Sequence, residues 1–191
     1  MIRWSLIPLC ALALLILPHT LLHAAPAGVE DIVIVAKKSG ESLHISVNMT
    51  VQASAEEVWK VLTDFDHIAQ FVSNVQSSKI VSSGNGRLQV SQAGRAAHGP
   101  LSFAFDSIQE FELKPFEEIR SRLISGSMKK LDGVTQLISR GGETSVLYQG
   151  VSIPNVWVPP LVGVQFIEAE VRDQYRELRD EIMRRKRLEP R

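Results

Sequence analysis

Residues Val75 to Ser152 form a succession of extended runs separated by short turns. The turn signals are Gly84-Asn85-Gly86, His98-Gly99-Pro100, Lys114-Pro115, the segment Gly126 to Gly133, and Gly141-Gly142. Connections this short join antiparallel neighbours, because a parallel pair needs a crossover of about a dozen residues or more. The pattern predicts a meandering antiparallel sheet of about six strands in this part of the chain.

A strand hairpin is predicted ahead of this meander. Apolar and polar residues alternate from Leu43 to Gln52, which is the period of a strand with one buried face. Ile32 to Val35 is a short β-branched run, and Lys38-Ser39-Gly40-Glu41 between them has the composition of a turn.

Two short helices are predicted after the hairpin. Ser54-Ala55-Glu56-Glu57 fits a capping box, and the apolar stripe Val58, Val61, Leu62 and Phe65 follows it. A second brief helix is expected within His67 to Phe71. We interpret Asp64 and Asp66 at the junction as helix caps rather than as a catalytic carboxylate pair.

A long amphipathic helix is predicted near the carboxyl terminus, after Pro154, Pro159 and Pro160. Its apolar stripe recurs every three or four residues and comprises Val164, Ile167, Val171, Tyr175, Leu178 and Ile182. The basic run Arg184 to Arg187 ends it. We expect a frayed, solvated helix end there, with contact to anionic lipid headgroups as the alternative.

Residues 1–27 have the features of a secretory signal peptide: Arg3, an apolar stretch from Leu6 to Leu17, and small residues at Ala24, Ala25 and Ala27. An uncleaved anchor is the alternative, but the run is shorter than the roughly twenty residues that a bilayer requires. We therefore expect one domain over residues 28–191, in the periplasm after cleavage. Since Cys10 lies in the leader, the mature chain would lack disulfides and thiolate nucleophiles.

Charge and histidine placement narrow the function. The chain has 21 basic and 21 acidic residues, and this balance argues against nucleic acid as a partner. His44, His67 and His98 fall on different predicted elements, so we expect no metal site. Hydrolase motifs are absent, no cofactor is implied, and no catalytic residues are assigned.

The element order and the segment Val51 to Phe65, with Trp59 at its centre, resemble the helix-grip superfamily. This superfamily includes START-like lipid carriers, polyketide cyclases and the birch pollen allergen. The chain is most similar to the coenzyme Q-binding, polyketide cyclase/dehydrase-like branch, and Phe71 and the run Ile119 to Lys130 before Asp132-Gly133 add to the likeness. Val134-Thr135-Gln136 departs from it, since many relatives have an aromatic residue there.

The resemblance implies an α+β fold in which a curved antiparallel sheet of about seven strands wraps around the long carboxyl-terminal helix. It also implies an apolar cavity between the two. Aromatic residues suited to line such a cavity are Phe103, Phe105, Tyr148, Phe166 and Tyr175. Ordinary core packing is the alternative interpretation of this set.

Two further residues are candidate ligand contacts. Arg120 shares a strand face with Arg122, and that face points either to solvent or inward, where a guanidinium could anchor a carbonyl or acid group. Trp157 lies in an uncharged, proline-flanked loop that could gate the cavity, touch a membrane interface transiently, or simply pack under the helix.

We expect an exported binding protein that holds a lipid, a quinone or another hydrophobic small molecule non-covalently. The alternative is an enzyme, a polyketide cyclase or dehydratase with Arg120, Tyr148 or Asp106 as acid-base groups. A third hypothesis is an interaction module with a filled core. A binding role without catalysis is favoured over the enzyme because no catalytic motif is present.

Overall fold

The computed structural model describes residues 32–98, 101–155 and 160–189. Trp157 and the predicted leader therefore lie outside the described residues. The elements in chain order are β1 (Ile32–Ser39), β2 (Ser42–Val51), α1 (Ala55–Leu62), a 3-10 helix (Ile68–Gln70), β3 (Val75–Gly84), β4 (Arg87–His98), β5 (Leu101–Lys114), β6 (Glu118–Gly126), β7 (Met128–Arg140), β8 (Glu143–Pro154) and α2 (Pro160–Leu188).

The eight strands form one antiparallel sheet in the order β1-β2-β8-β7-β6-β5-β4-β3. The predicted helix-grip architecture is confirmed, with one strand more than the seven or so expected. Sequential hairpins account for all pairings except β2 with β8, which joins the first hairpin to the end of the meander.

The start of α1 is the capping box that the sequence predicts. The Glu57 amide donates to the Ser54 hydroxyl oxygen at 3.2 Å, and the Ser54 amide donates to the Glu57 carboxylate at 2.6 Å. Val58 and Val61 on the apolar stripe are fully buried. The helix ends at Leu62 and the 3-10 helix follows, so both short helices are confirmed.

Asp64 and Asp66 do not cap the second helix, and that interpretation is wrong. The 3-10 helix has His67 at its start and no side-chain cap. Asp66 instead accepts from the Ile80 amide of β3 at 2.8 Å, and Asp64 pairs with Arg185 of α2 at 2.7 Å. Packing of this corner against β3 and α2 offers both carboxylates donors that are distant in sequence.

The helix α2 packs chiefly along β1, with further contacts to α1, β4 and β2. Its side chains Tyr175, Leu178 and Ile182 enter the main core with Val47, Met49, Val146 and others from β1, β2 and β8. A second cluster around Phe65, Val90, Phe111 and Ile119 fills the side of the sheet nearer β4. Within the described residues, no helix is both long and apolar enough to span a membrane.

The basic end of α2 is held in place, so the expected frayed end is wrong. Glu181 is 7% exposed and accepts from Arg184 at 2.7 and 2.8 Å and from Arg185 at 2.6 Å. Lys186 donates to the Gln52 carbonyl at 2.6 Å. Arg185 and Lys186 therefore connect the helix end to Asp64, after α1, and to Gln52, after β2.

Candidate ligand-binding site

Strand register decides which side chains face α2. Residues directly opposite each other in an antiparallel pair point to the same face of the sheet. Val47 of β2 is opposite Tyr148 of β8, and Tyr148 is opposite Thr135 of β7. Because Val47 belongs to the core beneath α2, Tyr148 and Thr135 lie on this inner face too.

Two glycines on adjacent strands make room for the Tyr148 ring. Gly150 of β8 and Gly133 of β7 are opposite each other, one step along the same face. A Cβ atom at Gly133 would lie 2.6 Å from Tyr148 Cε2, and one at Gly150 would collide with the Tyr148 hydroxyl oxygen. The phenol therefore lies along the sheet in a position that only glycines leave free.

Gly133 also corrects a sequence interpretation. The segment Gly126 to Gly133 reads as a turn, but the connection is Ser127 alone, and Gly133 is inside β7. The sequence could have indicated this, because a glycine within a strand often marks a position where another group packs closely against the backbone. Neither Gly133 nor Gly150 appears among the predicted site residues.

Tyr175 of α2 packs beside Tyr148. The two ring centroids are 6.3 Å apart with an interplanar angle of 45°. Burial raises the pKa of both phenols, and for Tyr148 the Asp132 carboxylate adds to the effect. Both phenols are thus neutral at physiological pH. The chain contains only these two tyrosines, and the fold brings them together.

The predicted phenylalanines also lie on the inner side, towards the amino-terminal part of α2. Phe103 of β5 and Phe166 of α2 meet edge to face, with centroids 5.3 Å apart. The Phe105 ring lies over Gly94 of β4, where an added Cβ would come within 2.6 Å of its Cζ atom. Two aromatic pairs thus link the helix to separate strands of the sheet.

Arg120 lies on the opposite, outer face, away from the aromatic pairs, which is the solvent-facing one of the two orientations that the sequence allows. Ile119 beside it is buried, so the alternation of β6 turns Arg120 outward, and its side chain is 50% exposed. It donates to both Glu118 carboxylate oxygens, at 2.7 and 3.0 Å. Asp106 is exposed as well, in the phase opposite to Phe105.

The outer face carries a polar groove of about 670 Å³, whose lining also includes Gly133 and Gly150. Charges of both signs line it: Arg87, Arg120 and Arg122 with Glu110, Glu112 and Asp132. Arg122 pairs with Glu110 at 2.8 Å, and Arg87 lies 3.5 Å from the same carboxylate. Because the positive and negative side chains pair with one another, the groove has no excess charge that would attract an ionic ligand.

The inner site is mainly aromatic and aliphatic, with two phenols among these side chains. Tyr148 and Tyr175 supply the polar groups nearest its middle, and aromatic and aliphatic side chains surround them. Across residues 32–98, 101–155 and 160–189, no three His, Cys, Asp or Glu side chains gather as metal ligands would. Trp157, the remaining predicted contact, lies outside the described residues and stays a prediction.

Comparisons with known proteins agree with this architecture. Residues 51–179 match the family described as polyketide cyclase/dehydrase and lipid transport. A search of the curated proteins found no match to the chain.

Three solved structures illustrate the likeness in fold. The STAR-related lipid transfer protein of Xanthomonas axonopodis has a TM-score of 0.68 and 16% identity, covering 82% of this chain and 96% of its own. The Zhui aromatase/cyclase of Streptomyces sp. R1128 has a TM-score of 0.63 and 17% identity over 75% and 95%. A START superfamily protein of Mycobacterium smegmatis has 0.62 and 18% over 74% and 97%.

Proposed function

Because the chain belongs to the polyketide cyclase/dehydrase and lipid transport family, we propose that it binds a hydrophobic small molecule between the sheet and α2. The ligand is a lipid, a quinone or a comparable apolar compound, held without a covalent bond. The observation that supports the proposal is the set of aromatic residues through which α2 packs against the strands, above all Tyr148 and Tyr175, whose ring centroids lie 6.3 Å apart.

The packing of α2 against the sheet supports this role. The helix packs closely along β1 at one side of the sheet, while its links to β5 and β8 include the aromatic pairs Phe103–Phe166 and Tyr148–Tyr175. Rings of this type are flat, and they present apolar faces to a ligand at a low cost in conformational entropy. A ligand between the sheet and α2 would replace part of these ring-to-ring contacts with contacts to its own apolar surface.

Apolar burial supplies the binding energy in this proposal. At about 25 cal/mol per Å², burying roughly 300 Å² of ligand gives roughly 7 kcal/mol before association costs are subtracted. Such a gross value corresponds to a reversible complex, as a carrier requires. No chemical step is needed for that function.

Export is part of the proposal. Residues 1–27 have a charged start, an apolar stretch and small residues before the domain. A periplasmic carrier would move its ligand between the inner and outer membranes, where a free apolar molecule would be insoluble. Cell fractionation of the full-length chain, followed by amino-terminal sequencing, tests this part separately: an intact protein in the cytoplasm would contradict it.

A second candidate function is catalysis of polyketide cyclisation or dehydration. The family description and the inward phenol of Tyr148 favour it, because a phenol can donate a proton to a developing enolate. Arg120 and Asp106, the other predicted acid-base groups, face away from the site. Catalysis would therefore depend on the tyrosines.

Ligand uptake by the purified mature protein tests the binding proposal. We expect native mass spectrometry to reveal co-purified ligand, and Nile red, a neutral apolar dye, to bind with enhanced fluorescence. The variant Ser121→Trp places a large side chain on the inner face beside Gly133 and should abolish dye uptake. Ser46→Trp, on the exposed outer face, is the matched control and should bind normally.

Two outcomes would contradict the proposal. One is a folded wild-type protein that neither carries a ligand nor takes up Nile red, which would favour a filled core and an interaction role. The other is equal dye binding by Ser121→Trp and the wild type. Turnover of an aromatic polyketide substrate that is lost in Tyr148→Phe would instead establish the enzyme.

A further inference from the structure

The outer face of β5 and β6 carries charges of opposite sign in matched positions. Strand register sets Glu110 of β5 opposite Arg122 of β6, and Glu112 opposite Arg120. Phe111, between the two glutamates, is buried in the core, so the glutamates and the arginines opposite them point away from α2. Over this stretch of the outer face, β5 is therefore an acidic strand and β6 a basic one.

The pairing of these charges within one chain is incomplete. Arg122 donates to Glu110 through one nitrogen at 2.8 Å, and its side chain is 67% exposed. The Glu112 side chain is 51% exposed and lies 3.9 Å from Arg87, at the limit of an ion pair. Arg120 does not pair with Glu112, because it bonds a carboxylate on its own strand. A guanidinium has five N–H donors, so the arginines keep capacity for a further acceptor.

A surface with this arrangement matches a second copy of itself. In a two-fold dimer, contact of one residue with another on the partner is always accompanied by the reverse contact. An axis that runs parallel to the strands, between β5 and β6, lays each β5 over the β6 of the partner. Glu110 then meets the partner's Arg122, and Glu112 meets the partner's Arg120, each contact occurring twice.

The charge pattern also selects this axis over the other simple one. An axis that crosses the strands at the level of these residues would lay β6 over β6, which sets arginine against arginine and glutamate against glutamate. Sheets that pack face to face lie about 10 Å apart with nearly aligned strands. Long side chains that extend from both sheets, such as arginine and glutamate, meet across that gap.

The size of the face suits a weak, reversible dimer. Strands β4 to β7 are neighbours in the sheet. At a spacing of about 4.8 Å, and with roughly 3.4 Å for each of the nine residues of β6, they cover approximately 600 Å² per copy. The total of about 1,200 Å² is the lower limit of a standard specific interface.

We propose that the protein forms a two-fold homodimer through the outer face of β5 and β6, in which Glu110 and Glu112 of each copy meet the partner's Arg122 and Arg120. The occupant of this face is a second copy because equal numbers of opposite charges, set side by side on paired strands, complement the same surface after a two-fold rotation. Since α2 lies on the other side of the sheet, the dimer leaves the proposed ligand site uncovered and does not depend on it.

Sedimentation velocity of the mature protein, from micromolar to sub-millimolar concentration, tests the association. We expect a monomer–dimer equilibrium whose dissociation constant rises about tenfold or more between about 50 mM and about 500 mM salt, because the contacts are ionic and partly exposed. A wild-type protein that stays monomeric throughout overturns the inference.

Two complementary charge reversals assign the dimer to this face. Glu110→Lys sets a cation against the partner's Arg122, and Arg122→Glu sets an anion against the partner's Glu110, so each variant alone should dimerise at least about tenfold more weakly. A mixture of the two variants should recover a heterodimer, since both contacts then join opposite charges. The pair within each chain stays broken, so recovery reports contact between chains.

Glu112→Lys provides a second test on a more exposed side chain, and it should also weaken dimerisation about tenfold. Asp173→Lys makes the same change of charge on the exposed side of α2 and is the matched control, which should dimerise as the wild type does. Circular dichroism verifies that each variant is folded.

The remaining outcomes also decide the question. A dimer that is unchanged in Glu112→Lys and in the two reversals forms through another surface, which overturns the inference. Reversal variants that stay monomeric when mixed overturn it too, because the strand-parallel axis requires them to associate.

Discussion

Glu168 and Glu170, two residues apart on α2, bind the backbone of strands on opposite sides of the sheet. Glu168 Oε1 accepts from the Ala36 amide of the edge strand β1 at 3.0 Å. Glu170 Oε1 accepts from the Ala97 amide of β4 at 3.1 Å, where β4 extends beyond its pairing with β3. Residues two apart on a helix point about 200° apart, so one turn of α2 reaches both sides.

Loss of these two carboxylates should weaken the attachment of α2 to the sheet. We expect Glu168→Ala and Glu170→Ala each to lower the free energy of unfolding by about 1 kcal/mol, because each leaves an edge amide without its acceptor. The double variant should lose about the sum, as the two contacts are separate. Urea denaturation followed by circular dichroism measures both effects.

Asp173→Ala is the control for this pair, since its ion pair with Arg176 is exposed on both sides. Exposed pairs of this kind contribute about 0–1 kcal/mol. If Glu168→Ala and Glu170→Ala were no more harmful than Asp173→Ala, the edge contacts would have no structural importance.

Substitution of the glycines beneath Tyr148 should move the phenol without unfolding the protein. In Gly150→Ala the new Cβ collides with the hydroxyl end of Tyr148, which can swing aside. We expect the free energy of unfolding to fall by about 1–3 kcal/mol, because a largely buried ring has to shift. Nuclear Overhauser contacts between the rings of Tyr148 and Tyr175 should weaken, and Nile red affinity should drop.

Gly84→Ala is the matched comparison, because a Cβ at Gly84 meets nothing within 4 Å. It should leave both the ring contacts and the dye affinity unchanged. An unaltered Tyr148–Tyr175 contact in Gly150→Ala would mean that the glycine does not position the ring.

Stability should fall in acid partly through Glu181. Hydrogen bonds from Arg184, and then from Arg185, lower the pKa of this carboxyl group to about 2 against the opposing effect of burial. A carboxyl group whose pKa is lower in the folded state stabilises the fold above its unfolded value, 4.5, and loses that contribution as the pH falls towards 2. We expect Glu181→Gln to flatten the decline in unfolding free energy across this range.

Glu118 provides a second, independent carboxyl group in the same pH range. Its pKa is also lowered to about 2, mainly by the hydrogen bond from Arg120 and then by that from Lys114. Glu118→Gln should therefore flatten part of the same decline, and the double variant should flatten more than either single one. Identical pH profiles for Glu181→Gln and the wild type, measured by urea denaturation at each pH, would refute the assignment.

Arg185 connects the end of α2 to the corner after α1. It donates to Glu181 and to Asp64, and its guanidinium lies 5.3 Å from the centroid of the Phe71 ring. Burial alone would raise the pKa of Asp64, but hydrogen bonds from His67 and Arg185 outweigh it and keep that pKa below its usual value. Removal of Arg185 takes away one of these two donors.

We expect Arg185→Ala to lower the unfolding free energy by about 1–3 kcal/mol, since the loss leaves partly buried carboxylates with fewer donors. Arg187→Ala, an exposed position in the same turn, should change it by less than about 0.5 kcal/mol. Thermal denaturation monitored by circular dichroism compares the two. Equal melting temperatures would show that the basic end is merely solvated.

Much of the architecture followed from local patterns. The alternation of Leu43 to Gln52 predicts β2, the Ser54 capping box predicts α1, and the short turns predict antiparallel pairing. Each depends on residues within a few positions of one another, and the structure confirms them. The resemblance carried by Val51 to Phe65 added the curved sheet and the gripping helix.

The candidate site was predictable only in part. Residues such as Tyr148 and Phe166 were identified by type, as aromatic rings in apolar patterns, and the structure sets them in facing pairs. The glycines that position Tyr148 were missed, because the same residue type also marks turns. The orientation of Arg120 stayed open in the sequence, because a strand can turn either set of alternating residues inward until its partner strands are known.

The sequence by itself determined the succession of strands and helices, because periodicity and capping are encoded by near neighbours. Only the tertiary structure decided which face of β6 turns outward, which carboxylates Arg185 meets, and that the chain's two tyrosines face each other. Those relationships depend on strand register and on how the sheet curves around α2. Both are set by contacts between residues that lie far apart in the chain.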